Sequence, residues 1–405
     1  MHSIDTILNA KWLIPVDEAE TVRDNHSLVI DDGKIVDILP TSQANTQYQA
    51  RENIDLLDHA LIPGLINSHT HAGMNLLRGF ADDLALMDWL QNHIWPAEAK
   101  WVSPEFVYDG TQLAIAESIR SGVTCFNDMY FFPDEAATAV SEAGFRATIG
   151  LIVIDFPTVW ATNADEYLEK ALALHDTLKP RPRINTTLAP HAPYTVSDEP
   201  LKKIASYAEQ LDIPIHIHLH ETAFEVHQAE KNTGKRPIQR LNELGLISPR
   251  LLAVHMTQLN EGEIQLCAKN GVHIAHCPDS NMKLASGMCP VQQLQQANIN
   301  VCLGTDSASS NNNLDMLGEM RSAALLAKGV SGDATAVPAY TALKMATING
   351  AKALDIDDIT GSLEKGKAAD ITAIDLSELE TQPLYNPVSQ IVYAASRAQI
   401  THVWV

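Results

Sequence analysis

Eight apolar, buried-looking strands alternate with helical stretches over residues 61–350, and this alternation constrains the fold more than any other feature of the chain. Ser103 and Pro104 supply an N-cap and a first-turn proline for one helix, and Gly122 ends it. Eight strand–helix units predict an α/β fold, a (β/α)8 barrel of the TIM type, and fit a doubly wound sheet less well. The predicted strands are Leu61–His71, Thr124–Met129, Ala147–Asp155, Ile184–Pro193, Ile213–Glu221, Leu251–Thr257, Val272–Asn281 and Val301–Ala308.

The two ends of the chain have a different pattern, with short strands and tight turns. The run 31–34 places an Asp-Gly pair between two apolar strands, which predicts a hairpin. Residues 369–374 and 390–393 return to a strand-like pattern. We therefore expect a small composite β-sandwich domain built from residues 1–60 and 356–405, with the barrel spanning 61–355. The chain stops within a strand-like run, which is consistent with truncation of the second half of this domain.

Composition and charge narrow the range of partners. The 405 residues carry a formal net charge of −22, so we expect no nucleic-acid partner, because phosphate binding needs clustered lysine and arginine. The sequence has neither a signal peptide nor a run near the roughly 18 apolar residues of a membrane span, so we expect no membrane contact. The five cysteines are an odd number without a Cys-x-x-Cys spacing, which disfavours a disulfide framework and indicates a cytoplasmic protein.

Histidines end the first and fifth predicted barrel strands, at the end where such barrels place their active sites. His69 and His71 lie two residues apart, so their side chains share one face of the strand. The same period places the three histidines of the run 216–220 on one face of the fifth strand. One of these can supply a third metal ligand, while His216, the deepest, is better explained by a hydrogen bond within the barrel.

Three further residues complete this cluster. Glu221 follows the histidines of the fifth strand and is a candidate general acid or base. His255 lies on the sixth strand, and Asp306 ends the eighth, where its carboxylate can bind a metal. Histidine and carboxylate ligands without thiolates suit zinc, iron or manganese, and a catalytic metal activates a water as nucleophile. The pattern therefore predicts a divalent-metal hydrolytic site.

With these motifs the chain resembles the amidohydrolase superfamily and, within it, the 5′-methylthioadenosine/S-adenosylhomocysteine deaminases, which are related to the chlorotriazine hydrolases. The resemblance covers nearly the whole chain and implies that the substrate is a small nucleoside. It implies hydrolytic deamination of an adenine nucleoside to an inosine-type product and ammonia. Homodimers and tetramers are common among similar proteins, so a homo-oligomer is expected. The motifs are PGLINSHTH (63–71), HLHE (218–221), His255, HCPDSNMKLASG (276–287) and GTDS (304–307).

The resemblance assigns a role to each residue of the cluster. Glu221 matches the residue that carries a proton to the ring nitrogen, and His255 the residue that orients the nucleophile. Asp306 also matches the residue that takes the proton of the water. Superfamily members with two metals have a bridging lysine on the fourth strand, which is absent from 185–191 here, so one divalent ion per subunit is implied, Zn²⁺ first and Fe²⁺ as the alternative. Four residues match the metal ligands, namely His69, His71, His218 and Asp306.

The resemblance also implies contacts to the substrate, which include Glu221 itself. Trp89 matches a tryptophan near the nucleoside, although ordinary packing explains it equally well. Glu98 matches the glutamate that holds the ribose, and a carboxylate can accept hydrogen bonds from two adjacent hydroxyls. His191 matches a histidine near the ribose. Arg146, at the start of the third strand, either reaches the substrate or makes a surface ion pair.

The segment 155–163 departs from relatives that accept S-adenosylhomocysteine. Those enzymes hold the amino-acid carboxylate with an arginine after the third strand, whereas this segment is apolar and has no arginine. Because arginine is the natural bidentate partner of a carboxylate, we expect 5′-methylthioadenosine or 5′-deoxyadenosine to be the better substrate. Adenosine, guanine and s-triazines stay open as alternatives, as does a non-catalytic metal-binding scaffold.

Overall fold

The computed structural model describes residues 2–405 of the chain. Within them, the middle of the chain forms an eight-stranded sheet and the two ends together form a six-stranded sheet. The strands are β1 (His2–Leu13), β2 (Arg23–Asp31), β3 (Lys34–Pro40), β4 (Tyr48–Pro63), β5 (Leu65–Thr70), β6 (Val123–Met129), β7 (Arg146–Val153), β8 (Ile184–Pro190), β9 (Ile215–Leu219), β10 (Leu251–His255), β11 (His273–His276), β12 (Asn300–Leu303), β13 (Ile371–Asp375) and β14 (Ile400–Trp404).

Strands β5 to β12 follow one another in chain order around the larger sheet, each hydrogen-bonded to its neighbours. This is the strand order of a (β/α)8 barrel, so the predicted fold is confirmed. At the seam between the last strand and the first, Asp306 N donates to His69 O over 3.0 Å. Gly304 permits this approach, because a Cβ at that position would lie 2.8 Å from His69 N.

Helices connect and flank the barrel strands, and their ends follow the sequence signals. Ser103 Oγ accepts a hydrogen bond from Phe106 N over 3.1 Å at the start of the helix that Pro104 opens. Within residues 2–405, no helix combines the length and the apolar character needed to cross a membrane. The helices are α1 (Thr41–Gln47), α2 (Leu86–Asp88), α3 (Trp95–Trp101), α4 (Pro104–Arg120), α5 (Pro133–Ala143), α6 (Ala164–Leu178), α7 (Asp198–Leu211), α8 (Ala223–Thr233), α9 (Pro237–Glu243), α10 (Glu261–Lys269), α11 (Pro278–Lys283), α12 (Val291–Gln296), α13 (Met316–Ser331), α14 (Ala339–Met345), α15 (Ile348–Ala353) and α16 (Pro387–Tyr393), with a π-helical turn at Trp89–Ile94 and 3₁₀ turns at Ala72–Leu77, Leu379–Thr381 and Arg397–Gln399.

The two ends of the chain form one sheet in the order β14-β13-β4-β1-β2-β3. The predicted hairpin joins β2 and β3, because Asp31 pairs with Lys34 across a two-residue turn. Asp32 and Gly33 in this turn have φ values of 49° and 69°, as hairpins of this length favour. A small β domain built from both ends is therefore confirmed, while its boundaries at 60 and 356 stay predictions.

The run 390–393 was wrongly predicted to be a strand, and it forms the end of helix α16. Asn386 starts this helix by accepting a hydrogen bond from Ser389 N over 3.0 Å, and Pro387 occupies the first turn. Ile391 and Val392 are fully buried on the helix. A short apolar run is compatible with a buried strand or a buried helix, and here the capping residues Asn386 and Pro387 favour the helix.

Candidate active site

Four side chains converge at the carboxyl ends of β5, β9 and β12. One donor atom each of His69, His71, His218 and Asp306 lies within 4.8 Å of the others, and all four residues are buried. Asp306 Oδ1 is 3.4 Å from His69 Nε2 and 3.2 Å from His71 Nε2. His71 Nε2 is 3.3 Å from His218 Nε2. We call these four residues the metal group.

Hydrogen bonds turn the Nε2 lone pairs of two imidazoles toward each other. His71 Nδ1 contacts Met129 O, and His218 Nδ1 contacts His191 O. Because a carbonyl oxygen only accepts, both Nδ1 atoms carry a proton, and in the neutral imidazoles that a metal requires both Nε2 atoms then present lone pairs. Two lone pairs 3.3 Å apart repel each other unless a cation lies beside them. The donor set therefore fits a divalent ion such as zinc, with His71 and His218 each oriented by a backbone oxygen behind the ring.

A hydrogen bond to His216 orients the ring of His69, since His69 Nδ1 and His216 Nε2 are 2.8 Å apart. His69 Nε2 is buried and has no hydrogen-bond partner among residues 2–405. The predicted hydrogen-bonding role of His216 agrees with this geometry. His220 was expected to share the face of His218, but its φ of +54° turns it away, and its Nε2 accepts from Ile238 N over 3.2 Å. The strand ends one residue earlier than its period suggests.

Hydrogen bonds fix the carboxylate of Asp306. Ser280 Oγ and Ser310 Oγ donate to its Oδ2 over 2.6 and 2.9 Å. Burial opposes ionisation, but the proximity of His69 and His71 outweighs it and holds the pKa of Asp306 well below its usual value. Asp306 is therefore a carboxylate, as a metal ligand must be.

Glu221 and His255 border the metal group. Glu221 Oε2 lies 3.8 Å from His255 Nε2, and Ser286 Oγ donates to Glu221 Oε1 over 3.2 Å. Burial raises the pKa of Glu221, which suits this carboxyl group to hold and release a proton. His255 Nδ1 donates to Asn281 Oδ1 over 2.9 Å, which leaves His255 Nε2 as an acceptor toward the site.

A cavity of about 430 Å³ opens onto the metal group, within the size range of small-molecule sites. Its far wall is apolar and comes from the loop after β5 and from the segment after β7. Among residues 2–405, no lysine or arginine lines this cavity. The apolar wall includes Leu86, Trp89, Leu90, Ile94, Trp95, Ile154, Phe156 and Val159.

Four of the residues assigned to substrate binding, Trp89, Glu98, His191 and Glu221, line this cavity. Trp89 is buried, and its indole Nε1 has no hydrogen-bond partner among the described residues. Tyr130 Oη donates to Glu98 Oε1 over 2.9 Å, a contact that the sequence did not indicate. Burial raises the pKa of Glu98 to about 7. His191 Nδ1 lies 3.0 Å from Thr195 Oγ1.

Arg146 lies outside the cavity, which corrects the expectation that it contacts the substrate. It is the first residue of β7, at the barrel end opposite the metal group, and no atom of it lines the cavity. Its Nε and Nη2 donate to Asp370 Oδ2 and Oδ1 over 2.7 and 3.2 Å. The side chains are only 6% and 0% exposed, so the pair is a buried link between the barrel and the terminal domain.

Comparisons with known proteins agree with this site. Residues 60–405 match the amidohydrolase family. A 5-methylthioadenosine/S-adenosylhomocysteine deaminase of Saccharophagus degradans is 53% identical over 401 residues, which cover 99% of this chain and 90% of that protein. The crystal structure of an adenosine deaminase from Xanthomonas campestris with bound zinc is 51% identical, with a TM-score of 0.99 over 100% of this chain and 92% of that one.

A more distant solved structure shares the fold alone. Atrazine chlorohydrolase from Arthrobacter aurescens is 23% identical and has a TM-score of 0.88 over 98% of this chain and 94% of that one. The chain therefore belongs to the amidohydrolase family and, within it, to the group of the 5-methylthioadenosine/S-adenosylhomocysteine deaminases.

Proposed function

We propose that the protein is a metal-dependent aminohydrolase that deaminates an adenine nucleoside with a small apolar 5′ group, 5′-methylthioadenosine above all. The observation that carries this proposal is a single cavity with the metal group and Glu221 at one end and an apolar wall without cations at the other. Relatives named as deaminases of such nucleosides, one of them with bound zinc, support the same chemistry. Water replaces the amine at C6, and the products are an inosine-type nucleoside and ammonia.

The metal group would hold one divalent ion, for which zinc is the first choice. When bound, this ion acts as a Lewis acid that lowers the pKa of a water molecule. His255 Nε2 accepts a hydrogen bond from the attacking water and orients it. Glu221 carries one proton of the water to the ring nitrogen next to C6, and Asp306 takes the other and passes it to the departing amine.

The remaining lining residues bind and orient the nucleoside. Tyr130 holds Glu98 Oε1, so Oε2 stays available to the ribose hydroxyls. Trp89 packs against the nucleoside from the cavity wall, and His191 lies beside the ribose. The apolar wall around Phe156 receives the 5′ group and excludes water from it.

Ammonia release from the purified, zinc-loaded protein tests the proposal. Methylthioadenosine, 5′-deoxyadenosine, adenosine, S-adenosylhomocysteine and guanine are offered in parallel, and we expect the fastest release from the methylthio or deoxy nucleoside. Release from guanine alone would contradict the proposal and favour another aminated heterocycle. Zinc binding without ammonia from any compound would favour a non-catalytic scaffold.

We also infer a cytoplasmic location. The five cysteines are free thiols, and all are buried. Unpaired thiols are usual in proteins of reducing compartments. A homo-oligomer stays a prediction, which light scattering on the purified protein tests directly.

A further inference from the structure

We propose that Glu225 is a positioning residue for the deamination, because its buried carboxyl group fixes the backbone from which Glu221 projects. This inference rests on the proposed role of Glu221 as proton carrier. Glu225 lies in the first turn of α8, four residues after Glu221, and is 8% exposed. Glu225 does not line the catalytic cavity, so its effect on the reaction must pass through its neighbours.

Each carboxylate oxygen of Glu225 accepts one backbone hydrogen bond. His220 N donates to Oε1 over 3.1 Å, and Glu221 N donates to Oε2 over 2.7 Å. Burial raises the pKa of Glu225 to about 8, although the two backbone hydrogen bonds oppose this shift. Whether ionised or not, a carboxyl group can accept at both oxygens, whereas an amide of the same shape accepts at only one. The side chain is therefore matched to two adjacent N–H groups that no strand in the described part of the chain satisfies.

Thr257 holds the opposite side of the same two residues. Its Oγ1 donates to Glu221 O over 2.7 Å, and its backbone N donates to His220 O over 3.0 Å. Among residues 2–405, both N–H groups and both carbonyls of His220 and Glu221 are thus bound by two residues, Glu225 and Thr257. This pair of contacts forms a clamp on the backbone that carries the proton-transferring side chain.

Backbone geometry explains why a clamp is needed at this point. His220 has a φ of +54°, which residues with a Cβ rarely adopt. This turn sends the His220 side chain toward Ile238 and the Glu221 side chain into the cavity. Without acceptors for the two N–H groups, the turn would relax toward ordinary φ values and move Glu221 away from His255, whose Nε2 now lies 3.8 Å from its carboxylate.

The variant E225Q tests the clamp, because it keeps the shape of the side chain but turns an NH₂ group toward one backbone N–H. We expect kcat for ammonia release from methylthioadenosine to fall about 10- to 100-fold, as small displacements of a catalytic group do. KM and zinc content should stay within twofold of wild type. Glu230 is an exposed glutamate on the same helix, so E230Q is the matched control and should behave as wild type.

A double-mutant cycle separates positioning from other effects. If Glu225 acts through Glu221, then E225Q should change the residual turnover of E221Q by less than twofold. The inference would be overturned if E225Q had the kcat of the wild type. It would also be overturned if E225Q lowered the turnover of E221Q by the same factor as it lowers that of the wild type. Wild-type protein that releases no ammonia from any adenine nucleoside would instead contradict the proposed function.

Thr257, the second residue of the clamp, provides an independent test of the inference if E225Q fails to fold or to bind zinc. T257V removes the hydroxyl donor to Glu221 O and keeps the branched shape of the side chain. It should lower kcat with KM unchanged, and T257S, which restores the hydroxyl, should recover most of the activity. Equal kcat values for T257V and T257S would overturn the inference.

Discussion

Replacing the methylthio group of the substrate with a homocysteinyl group should lower kcat/KM by at least tenfold. The larger group brings a carboxylate to a cavity whose charged lining residues are Glu98, Glu221 and Asp306, with no lysine or arginine among the described residues. A hydrogen bond to a charged group is worth about 1.5–3 kcal/mol, and about 1.4 kcal/mol is a factor of ten. The missing partner therefore predicts a ratio of about 10 to 150 in favour of methylthioadenosine, measured by steady-state ammonia release.

A gain-of-function variant tests the physical reason for this ratio. Val159 lines the apolar wall and is 44% exposed, so an arginine there has room to reach the cavity while staying solvated. V159R should raise kcat/KM for S-adenosylhomocysteine about tenfold, by one charge-assisted hydrogen bond, without raising that for methylthioadenosine. Val330 on α13 is 54% exposed and does not line the cavity, so V330R is the matched control.

Two results would refute this reasoning in different ways. Equal kcat/KM values for the two nucleosides in the wild-type protein would show that the cavity binds the carboxylate without a cation. A wild-type preference for the methylthio compound that V159R leaves unchanged would show that size, and not charge, sets the selectivity.

Three further predictions concern the pH response, the buried ion pair and the metal. Burial raises the pKa of Glu98 to about 7. Protonation below that pH removes an acceptor for the ribose hydroxyls, so KM for the nucleoside should rise as the pH falls. If the KM of E98Q varied with pH in the same way as that of the wild type, this prediction would be wrong. R146M leaves Asp370 buried and unpaired, so the free energy of unfolding measured in urea should fall by about 3–5 kcal/mol while kcat/KM stays unchanged. A lower kcat/KM with an unchanged free energy of unfolding would instead indicate that Arg146 contacts the substrate. Removing zinc with a chelator should lower the melting temperature, because an ion that binds only the folded state stabilises it; an unchanged melting temperature would contradict the assignment of the metal group.

The barrel and three members of its metal group could be predicted from simple periods, whereas His218 was selected among the three histidines of the fifth strand by the family resemblance. The alternation of strands and helices defines the barrel, and a period of two places His69 and His71 on one face. The strand-end rule then brings Asp306 to the same end of the barrel, where it is hydrogen-bonded at the seam to His69. Hydrophobic pattern and strand position suffice for these features.

Other features depend on contacts between distant segments or on a single backbone angle. Arg146 and Asp370 are 224 residues apart, and no local pattern indicates that they pair. The hydrogen bond from Tyr130 to Glu98 likewise joins the segment after β6 to helix α3. The period of two fails at His220, because its positive φ ends the strand before the pattern does.

The central claim is that the metal group and Glu221 together perform hydrolytic deamination, and the variant E221Q tests it most directly. Zinc content, binding of methylthioadenosine and ammonia release are measured on the same preparation. We predict unchanged zinc content and retained nucleoside binding, with turnover lowered by about 10²- to 10⁴-fold, the usual contribution of a general acid or base. Wild-type turnover in E221Q would contradict the account, because the proton carrier would then lie elsewhere.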